Sequence, residues 1–319
     1  MAKIEEISLT VAIPTYNRAV PLGELVDVLI PLVESGLIYL LIVDDGSTDT
    51  TSRLPEKYVH PGITWVRNST NVGYAQNFLR CFDLASTRYL VMVSDDDVFH
   101  PAGLVQVIER LRIESPGFVG TPWPRVDGSF ERKPSGDGPI GLREIGEASF
   151  HAPGLVYDRG ELSEAVEILR WAIDTKLTMA LVYPQVVLAS WATVCGSARW
   201  WPITVSSEGH SLPSGIDDGS GRGYWMPESR LAQAISFDAI LKRMLGCCDN
   251  DLQRRAYRRL LRWNAQSIYD YLRKCLLPEA DLKGLSYLDR EVLRRTILLG
   301  SAPLGSGAIA GVVGRIRAR

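Results

Sequence analysis

The stretch LLIVDDGSTDTTS, residues 40–52, decides the fold. Leu40–Val43 is an unbroken aliphatic run, the pattern of a strand buried on both faces of a sheet. It ends abruptly in Asp44 and Asp45. Gly46 then permits a turn of positive φ, and Ser47, Thr48 and Asp49 are turn and helix-capping residues. The reading is therefore strand, tight turn, helix from about residue 50. The arrangement recurs at YLVMVSDDDVFHP, residues 89–101, where a second apolar run meets Asp95, Asp96 and Asp97. A third run, SLTVAIP at 8–14, continues into Thr15, Tyr16 and Asn17.

Outward from these runs, strands are predicted at 8–14, 37–44, 63–67, 89–94 and 118–123. Helix-like apolar spacing falls between them at 22–33, 50–58, 74–86 and 102–112. Strand and helix in turn mean βαβ units. The expected fold class is α/β, a mostly parallel Rossmann-like sheet flanked by helices, with a helical C-terminal extension. The Pro/Gly-rich stretch 124–141 reads as a mobile loop or module boundary. A short strand in FHAPGLVYDRGEL then feeds a helix at roughly 160–173. The Gly/Ser-rich stretch 206–225 reads as a substrate loop or lid, and the pattern is helical from Glu228 almost to the end. We expect an α/β domain over 1–225 and a helical region over 226–319.

Composition is that of a globular protein, 46% hydrophobic and 23% charged over 319 residues. The net charge of −2 argues against nucleic-acid binding as a global property. The charge is uneven: Asn250–Arg319 holds 14 Lys and Arg against 6 Asp and Glu. That basic, amphipathic C-terminal region allows peripheral contact with an anionic membrane surface. The five cysteines form no CxxC pair, as expected of free thiols in a reducing cytoplasm. MAKIEEISLT has no apolar core of a signal peptide, and no run of 18 strongly apolar residues predicts a membrane span. The expected location is cytoplasmic, at or away from the inner membrane face.

In an open parallel sheet, ligands bind beyond the carboxyl ends of the strands. Three such ends here present an aromatic ring with hydroxyls, an acid pair and an acid triplet. Clustered carboxylates repel unless something positive intervenes. An oxygen-only donor set suits Mg²⁺ or Mn²⁺ bridging to a diphosphate. Asp44 and Asp45 can instead accept hydrogen bonds from a nucleobase or ribose. A receiver domain would place the acid pair after its first strand, and a DxD(G)T phosphatase would need a spacing that Asp44-Asp45-Gly46 lacks. Neither a P-loop nor GxGxxG occurs.

Four segments, VAIPTYNR (11–18), LLIVDDGSTDTT (40–51), NVGYAQNFLR (71–80) and YLVMVSDDDVFHPAGL (89–104), resemble in order and spacing the inverting family 2 glycosyltransferases of the GT-A fold. The resemblance covers residues 7–112 closely. It implies transfer of a sugar from a nucleotide-diphosphate donor to an acceptor hydroxyl, with a divalent cation, in cell-surface polysaccharide or glycoconjugate synthesis. By that resemblance Thr15 and Tyr16 contact the nucleobase, flanked by Pro14 and Arg18. Asp45 recognises the base, with Asp44 beside it. Asn71, Gly73 and Asn77 lie near the nucleotide, and Arg80 takes the basic role toward the diphosphate. Counted back from Pro101, Ser94 replaces the usual first Asp of the DxD motif, Asp95 contacts ribose, and Asp96 and Asp97 are the expected metal ligands.

The family's Glu-Asp pair, the usual source of the base that deprotonates the acceptor, has no counterpart in TMALVYPQVVLASWA (178–192). YPQ at 183–185 resembles the branch containing O-antigen deoxyhexose transferases such as abequosyltransferases. Candidate bases are Asp174 and the pair Asp217–Asp218, with Asp158, His151 and Glu208 also considered. His151 and Gly154 match positions that line the acceptor pocket. UDP or CDP is favoured over dTDP or GDP, and the acceptor is a sugar or lipid-linked sugar. Two alternatives stay open: a non-catalytic sugar-nucleotide-binding or scaffold protein on the same fold, and transfer to a soluble natural product.

Overall fold

The computed structural model describes residues 9–132, 136–209 and 223–276. Its first half alternates strand and helix: β1 (Leu9–Thr15), α1 (Ala19–Glu34), β2 (Tyr39–Asp44), a 3-10 turn (Thr50–Arg53) entering α2 (Leu54–Lys57), β3 (Ile63–Arg67), α3 (Tyr74–Leu84) and β4 (Tyr89–Met92). There follow β5 (Val98–Phe99), α4 (Pro101–Leu111), β6 (Phe118–Gly120), β7 (Trp123–Pro124), β8 (Phe130–Arg132), β9 (Gly138–Pro139), α5 (Ile145–Ser149) and β10 (Val156–Asp158). Next come α6 (Ser163–Asp174), α7 (Thr178–Val182), α8 (Pro184–Cys195), β11 (Ala198–Trp200) and β12 (Ser206–Ser207), then α9 (Pro227–Gly246) and α10 (Asp251–Leu276).

The main sheet has eight strands in the order β3-β2-β1-β4-β10-β6-β11-β9. β1, β2, β3 and β4 are parallel neighbours, and β6 pairs in parallel with β11. β10 enters antiparallel between β4 and β6, and β9 closes the edge antiparallel to β11. The architecture is the expected mixed α/β sheet flanked by helices. The chain leaves β1 toward β2 on one side and β4 lies on the other, so the strand order reverses beside β1. A crevice at such a reversal is where open α/β sheets bind ligands.

The core explains why these segments take these forms. Leu9, Val11, Ile13, Leu40, Ile42 and Val91 are wholly or almost wholly buried on the strands, as is Val93 just beyond β4. Helix α1 lays Leu22, Leu25, Val26, Leu29, Leu32 and Val33 into the same cluster, at i, i+3, i+4 spacing. Each buried aliphatic side chain contributes about 1.5–3 kcal/mol. Pro101 starts α4 after extended His100, because proline's fixed φ suits the first helical position and its missing N–H costs nothing there.

The sequence expectations for 118–123 and 124–141 need revision. A strand over 118–123 is in fact β6 and β7, separated at Thr121–Pro122. The stretch expected to be a mobile loop carries β7, β8 and β9. Such short strands leave no periodicity to read. β7 and β8 pair with each other, and β9 pairs only with residues some 60 positions away.

By its internal contacts the chain divides into two units: Met1–Lys176 with Ala180–Asp217, and Leu177–Met179 with Asp218–Arg319. The first contains both sheet and crevice. In the second, α9 packs along α10, and Ile240, Leu241, Met244, Tyr257 and Leu260 are buried.

Candidate active site

At the carboxyl end of β1, the Thr15 hydroxyl donates to Asp95 Oδ2 at 2.5 Å. This bond ties β1 to the turn after β4 across the strand-order reversal. Asp95 is 7% exposed. Burial pushes its carboxyl up to about 7; the Thr15 hydrogen bond opposes the rise and the Asp96 charge adds to it. Asp96 is half-exposed and accepts from Ser94 Oγ at 2.5 Å. The serine in the place of the first acid thus orients the second.

Asp97 points elsewhere. Its Oδ2 accepts from Trp123 Nε1 and from Ser206 Oγ, both at 2.9 Å. Burial raises its carboxyl to about 7 against those two hydrogen bonds. Asp97 therefore fastens the acid turn to β7 and β12. β12 pairs antiparallel with β5, and a side chain at Gly209 would collide with the Asp96 carbonyl. The segment 206–209 runs directly against the acid turn.

The pair after β2 is consumed by its own surroundings. Asp44 Oδ1 accepts from Ser47 N at 2.9 Å, and its Oδ2 lies 3.3 Å from Arg67 Nε. Asp45 Oδ1 accepts from Asn68 Nδ2 and Val72 N, both at 2.8 Å, and Oδ2 accepts from Gly73 N at 2.9 Å. Asp45 thus organises the 68–73 loop rather than projecting into open space. Gly46, at φ 75, lets that loop pass close; a Cβ would lie 2.8 Å from the Thr70 carbonyl carbon.

Asn77 is buried and donates to the Val43 carbonyl at 2.9 Å, and Asn71 Oδ1 caps Gly73 N. Gly73, at φ 89, turns the chain into α3. Arg80 is exposed on α3. Tyr16 is 40% exposed at the rim of the crevice, Pro14 is half-buried, and Arg18 lies close enough to Asp95 to favour its ionised form. Asn17 was not singled out from sequence. It adopts φ 53, and its Oδ1 accepts from Thr48 N at 2.8 Å and Asp49 N at 3.3 Å, locking the Thr15–Arg18 turn onto the one after β2. An Asn ending a strand before a helix is the available signal, since Asn tolerates this conformation.

The remaining candidates scatter. Asp174 ends α6 and receives Gln76 Nε2 at 3.4 Å. Asp158 binds Arg88 at 2.7 Å and accepts from Gly160 N, a structural role. Gly154, at φ 81, donates its N–H to the Met92 carbonyl at 2.7 Å. The His151 ring packs on Trp123 with centroids 4.1 Å apart, and Nε2 is buried without a hydrogen bond. Burial, with Arg132 and Arg125 nearby, lowers its pKa to about 3, so it is neutral. Fully buried Arg132 donates to the carbonyls of Thr121, His151 and Pro153 and holds this wall together. Asp217 and Asp218 lie outside the described residues. A cleft of about 560 Å³ opens beside β5 and β12, lined by His100, Gln106, Arg125, Ile203, Ser207 and Glu208 among others.

Residues 10–159 match the family model described as Glycosyl transferase family 2. That stretch runs from β1 to β10 and is similar to the family over that length. The S. aureus TarS 1–349 structure in complex with UDP-GlcNAc superposes with a TM-score of 0.60 at 14% identity, covering 98% of this chain and 88% of that one. The fold is accordingly GT-A-like. An uncharacterized glycosyltransferase of Mycoplasma pneumoniae, the MG025 homolog, is 34% identical over 94 residues, 28% of this chain and 31% of that protein. The uncharacterized protein MT1568 of Mycobacterium tuberculosis is 25% identical over 115 residues, 36% of this chain and 35% of that protein. The chain thus matches about a third of the length of these two curated relatives. In family terms the crevice, with Thr15, Asp45 and the acid triplet, lies inside the matched stretch; the cleft's Ser207 and Glu208 lie beyond it.

Proposed function

We propose that this protein is an inverting glycosyltransferase that moves a sugar from a nucleotide-diphosphate donor to an acceptor hydroxyl. The observation that carries the reading is the bond from Thr15 to buried Asp95 at the strand-order reversal, with half-exposed Asp96 beside it. A buried carboxyl beside a second acid is a site electrostatically prepared for a cation.

Among the described residues, no three His, Cys, Asp or Glu side chains cluster to hold a metal. Mg²⁺ or Mn²⁺ needs only one or two protein carboxylates when substrate phosphates complete its shell. Asp96 and Asp95 would hold it, with Asp97 positioning the turn. When bound, the cation supplies Lewis-acid stabilisation of the departing diphosphate. Tyr16 offers its ring to the nucleobase at the crevice rim, and Arg18 adds positive charge near the phosphates. The UDP-GlcNAc bound in TarS supports UDP as the first donor to test, within the UDP or CDP preference. The cleft beside β12 is the acceptor side. Glu208 lines it and accepts from Val126 N at 2.9 Å, so we assign it the base role to be tested ahead of Asp174.

Thermal melts with UDP, CDP, GDP and dTDP, each with and without Mn²⁺, test the donor half of the reading. A nucleotide at about 100 times its dissociation constant adds about 2.7 kcal/mol. Stabilisation by one nucleotide only when metal is present supports it. No shift with any nucleotide would remove the transferase reading and favour a scaffold.

A further inference from the structure

The second unit carries a feature that the transfer reaction does not use. Helix α10 places Arg254, Arg255, Arg258, Arg259 and Arg262 on its exposed side. At 1.5 Å rise per residue these five charges span only about 12 Å. Three pairs, Arg254/Arg258, Arg255/Arg259 and Arg258/Arg262, stand at i, i+4, where like charges repel. A merely solvated helix face relieves such repulsion with interspersed acids. Here no Asp or Glu occurs from Leu252 to Tyr269, and of the five arginines Arg254 meets an acid, Asp251, at 3.5 Å. The opposite side is already used: α10 packs along α9, with Tyr257, Leu260, Ala265 and Ile268 buried. Among the described residues of α10, Leu252 is the one exposed large apolar side chain.

We propose that the arginine face of α10 docks the protein on an anionic phospholipid surface by electrostatic adsorption, without insertion. Charge complementarity selects the partner class. The first 249 residues carry a net charge of −10 against +8 for the remainder. The net charge of −2 for the whole chain argues against a long polyanion such as a nucleic acid. A planar surface need touch only the basic face. Adsorption of this kind weakens by a constant factor for each charge lost and collapses with salt, because exposed charges are screened beyond a Debye length. The proposal does not depend on the glycosyl-transfer reading, and its test involves no nucleotide.

The full chain would be sedimented with phosphatidylcholine vesicles containing phosphatidylglycerol, and with phosphatidylcholine alone, at about 0.05 M and about 0.5 M salt. Binding is expected only to the anionic vesicles and only at low salt. The variant Arg255→Gln, Arg258→Gln, Arg259→Gln, Arg262→Gln alters exposed side chains, and its melting curve should match the wild type. Its binding should fall more than tenfold. Failure of the wild type to bind, equal binding to neutral vesicles, retention at high salt, or a variant that binds like the wild type would each overturn the proposal. So would duplex DNA displacing the protein as effectively as the anionic vesicles do, since that would mark a general polyanion surface.

Discussion

Asp44–Asp45 and Asp95–Asp97 end two parallel strands that flank the same third strand, and in one dimension they look alike. In three dimensions the first pair is an anchor. Its oxygens accept three backbone N–H groups and one amide N–H, and one faces Arg67. The triplet divides its labour. Asp97 fastens neighbouring elements, Asp95 is buried on one hydroxyl with its carboxyl raised to about 7, and half-exposed Asp96 remains directed by Ser94. Which acids can serve a ligand is therefore decided by where their lone pairs already go. A carboxylate that satisfies buried amides cannot leave them without a desolvation cost.

This contrast can be broken by mutation. The largest stability effect is expected from Asp45→Ala, which removes an acceptor shared by the buried Asn68 amide and the part-buried Val72 and Gly73 N–H groups. A loss of about 3–5 kcal/mol, read by chemical denaturation, is expected. A loss below about 1 kcal/mol would show that the anchor reading is wrong. Asp96→Asn should do the reverse: transfer falls about 10²–10³-fold while the denaturation midpoint stays within about 0.5 kcal/mol of wild type. If stability collapses with activity, Asp96 belongs with the anchors.

Asp97→Ala sharpens the division inside the triplet. It frees the Trp123 and Ser206 donors and should cost about 2 kcal/mol, with Asp97→Asn restoring most of it because the amide oxygen still accepts. If Asp97→Asn is instead as stable as wild type but as inactive as Asp96→Asn, Asp97 binds the cation. The smallest effect is expected for Tyr16→Ala: about fivefold weaker nucleotide binding by calorimetry, near 1 kcal/mol, with no change in stability, since the ring is 40% exposed.

Much of this was legible before any coordinates. Unbroken aliphatic runs at 40–43 and 89–93 placed the parallel strands, because strands buried on both faces tolerate no polar alternation. The helix at 74–84 followed from its apolar spacing, and the strand ends identified the crevice by the topology of α/β sheets. The assignments that needed more were those set by distant partners. Trp123 and Ser206 reach Asp97 from 26 and 109 positions away. Asn68 and Asn77 meet Asp45 and Val43 through a loop whose course no periodicity records. The antiparallel insertion of β10 was likewise invisible, because a three-residue strand pairs in either sense until its neighbours are in place.

The sequence by itself determined that strands end in carboxylates at the carboxyl end of a parallel sheet, since hydrophobic periodicity and turn chemistry are local properties. Tertiary structure alone decided which carboxylates anchor and which face the crevice, because burial and hydrogen-bond satisfaction depend on chain segments that sequence distance keeps apart.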